Sequence, residues 1–147
     1  TKGVFPDPVT FLSVLVACVH SSRVEEGEMY FRDMTEKFGF TPGIEHETCM
    51  VDLYGGAGLF DKALEVVTKM ASCDYPVWCA LLCASQKWGN VKVGKLAFEK
   101  AKQLDKTNSS AYVIMSNIYA CAGMQKDFER IEAMRMENML NDNQKMV

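Results

Sequence analysis

The 147-residue sequence has no run of eighteen apolar residues, so no segment reads as a helix long enough to cross a bilayer. It also lacks any pair of cysteines at two-residue spacing. Cys18, Cys49, Cys73, Cys79, Cys83 and Cys121 therefore do not read as a zinc knuckle or a thioredoxin-like redox site. A basic excess is missing too: 16 Lys and Arg stand against 19 Asp and Glu, a net charge of -3. That balance excludes histone-like binding of nucleic acid by bulk electrostatics and leaves only local contacts. Six cysteines are far too few for a small secreted disulfide scaffold. Beside apolar neighbours they read mostly as small buried residues of a reducing compartment. The N-terminal Thr1, Lys2 and Gly3 show neither an apolar signal core nor an Arg-rich transit pattern. They also lack an initiator Met, so the chain is read as part of a longer one. No P-loop, nucleophile elbow or zincin motif occurs.

What is present is helix after helix, and 48% hydrophobic residues are enough to bury a core. Val9, Leu12, Val14, Leu15 and Val16 describe a helix buried on more than one side, with Pro6 and Pro8 before or at its first turn. Val24 to Phe38 then places Met29, Tyr30, Phe31 and Met34 inward and Glu25, Glu26, Glu28, Arg32, Asp33 and Glu36 outward; Gly39 and Pro42 end it. The couplet recurs over 47–54 with 59–70, 76–88 with 91–104, and 110–122 with 124 to about 138. Nothing between them reads as a strand.

The turns between paired helices repeat. Ser22, Gly58, Gly89 and Gly123 are spaced by 36, 31 and 34 residues, and a small residue follows five positions later at Gly27, Ala63 and Gly94, though not at Phe128. Two helices per period of this length predict an all-α fold, a right-handed α-solenoid of about four helical hairpins. First helices would line the concave side and second helices the convex side. The small residue marks where another helix must come close.

The strings VTFLSVLVAC (9–18) and EEGEMYFRDM (25–34) resemble a long-type repeat of plant pentatricopeptide repeat proteins of the PLS subclass. IEHETCMVDLYGGAGLFDKALEVVTKM (44–70) resembles the short-type repeat that closes such arrays. VWCALL (77–82), GNVKVGKLAFEKA (89–101) and YVIMSNIYACAGM (112–124) resemble the two degenerate, TPR-like repeats of the E domain. The resemblance divides the chain at 8–43, 44–74, 75–108, 109–140 and a tail, 141–147. Departures are Glu47 in place of the usual Tyr, Gly56 in place of Arg, and Met70-Ala71 in place of Met-Pro. The final segment, 137–147, shows none of the basic and Pro-Gly signature that leads into an extension or a deaminase-like domain.

The resemblance implies an organellar protein, mitochondrial or chloroplast, that binds single-stranded RNA mainly through repeats upstream of this segment. It further implies C-to-U editing, with the E domain docking a deaminase and other editing proteins in trans. A structural subunit of a large organellar assembly such as a ribosome is the alternative. Deamination needs a His-x-Glu with a Cys-x-x-Cys, but His20 precedes Ser21-Ser22 and His46 precedes Glu47-Thr48. Cys79 and Cys83 would share a helix face, a spacing that can serve a metal. With no His in either helix of that pair they are read as packing. No catalytic residue, metal or cofactor is assigned, and the chain is read as a non-enzyme.

In the resembled family two side chains per repeat hydrogen-bond one base edge. The matching positions in the short-type repeat are Thr48 and, with one residue fewer near Cys73, Asp74, a pair that the family's code reads as favouring guanine. Leu12 and Gly43 make the long-type repeat silent. Residues 1–73 carry 6 basic and 11 acidic side chains, residues 74–147 carry 10 and 8. Lys92, Lys95, Lys102 and Lys106 give the second half a basic helix face, read as solvated or as meeting an acidic partner or RNA backbone. Trp78, Tyr112, Tyr119 and Phe128 are read as core rather than base-stacking platforms. Met134 and Met136, among the C-terminal methionines, are assigned to an adaptable partner surface around 131–140.

Overall fold

The computed structural model describes residues 6–145, with side chains described to residue 141. These residues form eight helices and no strand: α1 (Pro8–Ser21), α2 (Val24–Glu36), α3 (Ile44–Gly56), α4 (Phe60–Lys69), α5 (Tyr75–Trp88), α6 (Val91–Leu104), α7 (Ser109–Cys121) and α8 (Gln125–Lys145). The chain divides between Cys73 and Asp74 into two compact units, each of two hairpins. The all-α, hairpin-repeat expectation is met helix by helix.

One turn chemistry closes all four hairpins. Ser22, Gly58, Gly89 and Gly123 adopt φ of 56°, 77°, 69° and 73°, the left-handed region in which an α-helix is turned out of its path. In each case the next residue's amide reaches back to a carbonyl five residues earlier: Arg23 to Cys18 (3.0 Å), Leu59 to Tyr54 (2.8 Å), Asn90 to Ser85 (2.9 Å) and Met124 to Tyr119 (2.9 Å). Orphaned carbonyls at the helix ends are thereby satisfied. Ser22 alone does this with a Cβ among the described residues.

The starts of α1, α6 and α7 are capped by side chains. Asp7 accepts from the Thr10 amide (2.8 Å), Asn90 from Val93 (3.0 Å) and Asn108 from Ser110 (3.0 Å). At α3 the cap is reversed: the Gly43 amide donates to His46 Nδ1 (3.1 Å), and His46 Nε2 lies 2.8 Å from the Pro8 carbonyl. A carbonyl only accepts, so Nε2 carries the proton and the ring is a neutral bridge from α3 to the start of α1.

In the first unit Phe11, Leu15 and Cys18 of α1 are buried with Met34 of α2, Met50, Val51 and Leu53 of α3, and Ala63 and Val67 of α4. Phe11 also meets Phe38 and Phe40 at ring distances of 5.5 and 6.2 Å, folding the segment after α2 back onto α1. In the second unit Val77, Trp78, Leu81 and Leu82 of α5 are buried with Phe98 of α6, Tyr112, Met115 and Tyr119 of α7, and Ile131 of α8. Trp78, Tyr112 and Tyr119 are thus core, as read; Phe128 is half-buried.

Gly27 and Gly94 sit where two other helices converge. A Cβ on Gly27 of α2 would overlap Leu53 Cδ2 of α3 and touch Cys18 of α1; one on Gly94 of α6 would lie 3.0 Å from Ile118 Cδ1 of α7 and 3.4 Å from Ser85 Cβ of α5. Here a missing side chain sets the helix separation.

Three expectations are corrected. Met29 is exposed, because α2 buries only the stripe through Gly27 and Met34 and its other large apolar residues lie at the margin. Cys83 and Cys121 are exposed, and Cys73 and Cys79 are partly so, leaving Cys18 and Cys49 as the buried pair. Both exposed thiols fall on the outward side of helices whose apolar content exceeds one buried face. Finally, α8 runs to Lys145 through most of the assigned tail, since no Gly or Pro interrupts 137–145.

Gly27→Ala should destabilise the chain by about 1–3 kcal/mol in chemical denaturation, reversing the sign of the helix-propensity gain of about 1 kcal/mol. Gly94→Ala, whose neighbour need yield only a few tenths of an ångström, should stay within about 1 kcal/mol of the parent. Ser22→Gly should raise the melting temperature, because a side chain in the left-handed region costs about 1–2 kcal/mol.

Candidate nucleic-acid and partner surfaces

Thr48 lies in the second turn of α3, half-exposed, and its hydroxyl donates to the Ile44 carbonyl at 2.7 Å. The proton is committed to the helix, so the oxygen's remaining capacity is as an acceptor. Asp74 stands exposed at the start of α5 in extended backbone (φ -102°, ψ -179°), and its carboxylate makes no capping bond. Thr48 belongs to the first unit and Asp74 to the second. Leu12 is half-buried on α1.

The lysines do not form one uniform stripe. Lys92 and Lys95 are exposed, one turn apart on α6. Lys102 is partly buried, paired with Glu99 at 3.3 Å and lying 5.6 Å from the Phe98 ring centre. Lys106 falls beyond the end of α6, and its carbonyl accepts from Tyr112 Oη (3.1 Å) and from Asn138 Nδ2 of α8 (2.6 Å). The lysine spacing carried Lys106 onto the helix face although α6, as expected for 91–104, stops at Leu104. Lys100, which the spacing rule passed over, is exposed on the same helix.

Near the C-terminus Met136 is 53% exposed and Met139 47%, with Leu140 at 60%, whereas Met134 is half-buried and Ile131 and Met115 are in the core. The exposed apolar surface is therefore narrower than 131–140 and centres on Met136, Met139 and Leu140. Arg135 is held to Glu132 at 2.7 Å between these positions. Trp88, 52% exposed at the last residue of α5 with Lys87 5.4 Å from its ring centre, was not singled out from sequence. Its place just before the Gly89 turn is the signal that could have marked it.

Among the described residues no group of three or more His, Cys, Asp or Glu is placed to hold a metal ion, and no helix is long and apolar enough to cross a membrane. Burial raises the Cys49 thiol to about 11, with Asp52 and Glu45 adding to the effect.

The pentatricopeptide repeat profile matches residues 9–37 and 48–75, and the E motif profile matches residues 88–142. The chain belongs to the pentatricopeptide repeat family. A pentatricopeptide repeat-containing protein of Arabidopsis thaliana is 44% identical over 84% of this chain and 22% of its own length. A chloroplastic member from the same plant is 39% identical over 95% of the chain and 18% of its own length, and a mitochondrial member 41% over 93% and 21%. The chain spans about a fifth of the length of the curated relatives it matches. In this pentatricopeptide repeat protein the first unit carries both repeat matches almost whole, and the E motif falls entirely in the second.

Alkylation with iodoacetamide near neutral pH should modify Cys121 first and leave Cys18 and Cys49 protected until the chain is denatured. Mass spectrometry of quenched digests checks the order.

Proposed function

We propose that this chain is the C-terminal part of an organellar RNA-binding protein of the PLS subclass, a specificity factor for C-to-U editing. The observation that carries the reading is the E motif over 88–142 directly behind the repeat matches. Names of relatives as chloroplastic and mitochondrial support an organellar setting. In this reading upstream repeats hold most of the single-stranded RNA, and the chain's own contribution is one base read by Thr48 and Asp74, guanine by the family's pairing. The second unit docks a deaminase and its companion proteins in trans. Lys92 and Lys95 supply its basic contacts, Lys102 and Lys106 lie at their edge, and Met136 with the flank of Met134 supplies an apolar one. No chemical step is assigned to this chain, and no cofactor or metal enters the scheme.

The experiment is made in the full-length protein. Thr48→Asn should alter preference among RNAs that differ at the single base facing this repeat, by about tenfold for one lost or altered base contact. Unchanged preference removes the base-reading role. A knockout should abolish one defined edit; loss of an organellar assembly with editing intact would instead establish a structural subunit.

A further inference from the structure

Within the first unit α2, α3 and α4 enclose a cleft of about 340 Å³, at the small end of the range for ligand pockets of about 300–1,000 Å³. Its lining follows from helical spacing. Glu28 and Phe31 are one turn apart on α2, Glu47 and Tyr54 two turns apart on α3, and Glu65, Val66 and Lys69 share a face of α4. At one end the charges are satisfied: Tyr54 Oη donates to Glu28 at 2.8 Å, Lys62 Nζ reaches the same carboxylate at 3.3 Å, and Lys62 lies 5.6 Å from the Tyr54 ring centre. Those bonds hold the Glu28 carboxyl below its ordinary value, the Tyr54 contact first and Lys62 after it.

The other end is unbalanced. α3 and α4 run antiparallel in their hairpin, so Glu47, near the start of α3, falls toward the α4 end that carries Glu65 and Lys69. Lys69 is already paired with Glu65 at 3.0 Å. Glu47 is half-buried, and among the described residues no hydrogen bond or ion pair engages its carboxylate; burial pushes its proton affinity up, and the adjacent His46 partly offsets this. A half-buried carboxylate with no hydrogen bond or ion pair, in a cleft lined also by the aromatic Phe31 and the aliphatic Val66, has room for one cation. The surrounding field has the same sign, since residues 1–73 carry 6 basic against 11 acidic side chains.

We infer that this cleft is a binding site for an arginine side chain presented by a basic protein segment. The guanidinium pairs with Glu47 and stacks on Phe31. Arginine fits better than lysine because its planar fork can take both carboxylate oxygens while its face lies on an aromatic ring. Nucleic acid is disfavoured by the same carboxylates.

The test is a titration of the 147-residue chain with N-acetyl-arginine methylamide, followed by amide chemical shifts. Saturable shifts are expected along α3 and α4 facing the cleft, with affinity falling about tenfold in Glu47→Gln. Glu36→Gln, an exposed acidic change at the end of α2, should alter affinity by no more than about twofold. Phe31→Leu provides a second variant and should weaken the arginine probe more than N-acetyl-lysine methylamide. Shifts that do not saturate, equal loss in Glu36→Gln, or an undiminished response in Glu47→Gln would overturn the assignment, as would the same shifts produced by a single-stranded RNA oligonucleotide.

Discussion

The fold depends on a side chain that is absent. In each unit one helix must lie in the groove of its own hairpin partner and also receive the first helix of the next hairpin, and both contacts converge on a single residue, Gly27 in α2 and Gly94 in α6. Helices pack at separations set by the side chains at the point of contact. Removing the side chain at the point where three helices meet draws all of them inward. Leu53 and Cys18, or Ile118 and Ser85, then close over the gap. The helix-propensity cost of an interior glycine is local, about 1 kcal/mol, whereas the burial it permits extends along the whole interface.

That constraint is partly legible in the sequence, because it recurs. Aligning Ser22, Gly58, Gly89 and Gly123 located the four left-handed turn residues, and counting five onward located both contact glycines. Recurrence is what made them visible; a single Gly27 would have read as a weak spot in a helix. Features that occur once were not legible. Exposure of Met29, Cys83 and Cys121 depends on which side of a helix its neighbours leave open, and composition carries no record of that. The end of α6 at Leu104 was legible, but the lysine spacing was carried past it, and so the separation of Lys106 from the lysines before it was missed. Candidate site residues were named by position within a repeat. The hydroxyl of Thr48 turning back to the Ile44 carbonyl is a detail such counting does not reach.

Charge divides the molecule along the same line as its contacts. The unit bearing the two repeat matches is acidic, and the unit bearing the E motif has a small basic excess concentrated on α6. A net charge of -3 conceals both. Surface charge of this kind acts on encounter and on the choice of partner more than on stability. The two units therefore present opposite signs of charge to whatever approaches them.

His46 gives the first unit a different property. Its ring accepts a hydrogen bond from the Gly43 amide on one nitrogen and donates one to the Pro8 carbonyl from the other, so the opening turns of α1 and α3 share one buried side chain. Helix ends ordinarily fray independently, each at little free-energy cost. Here neither can loosen without leaving a polar atom of the imidazole stranded in the interior, a penalty of about 1–3 kcal/mol. Fraying at two points thirty-eight residues apart in the chain thus becomes a single cooperative event.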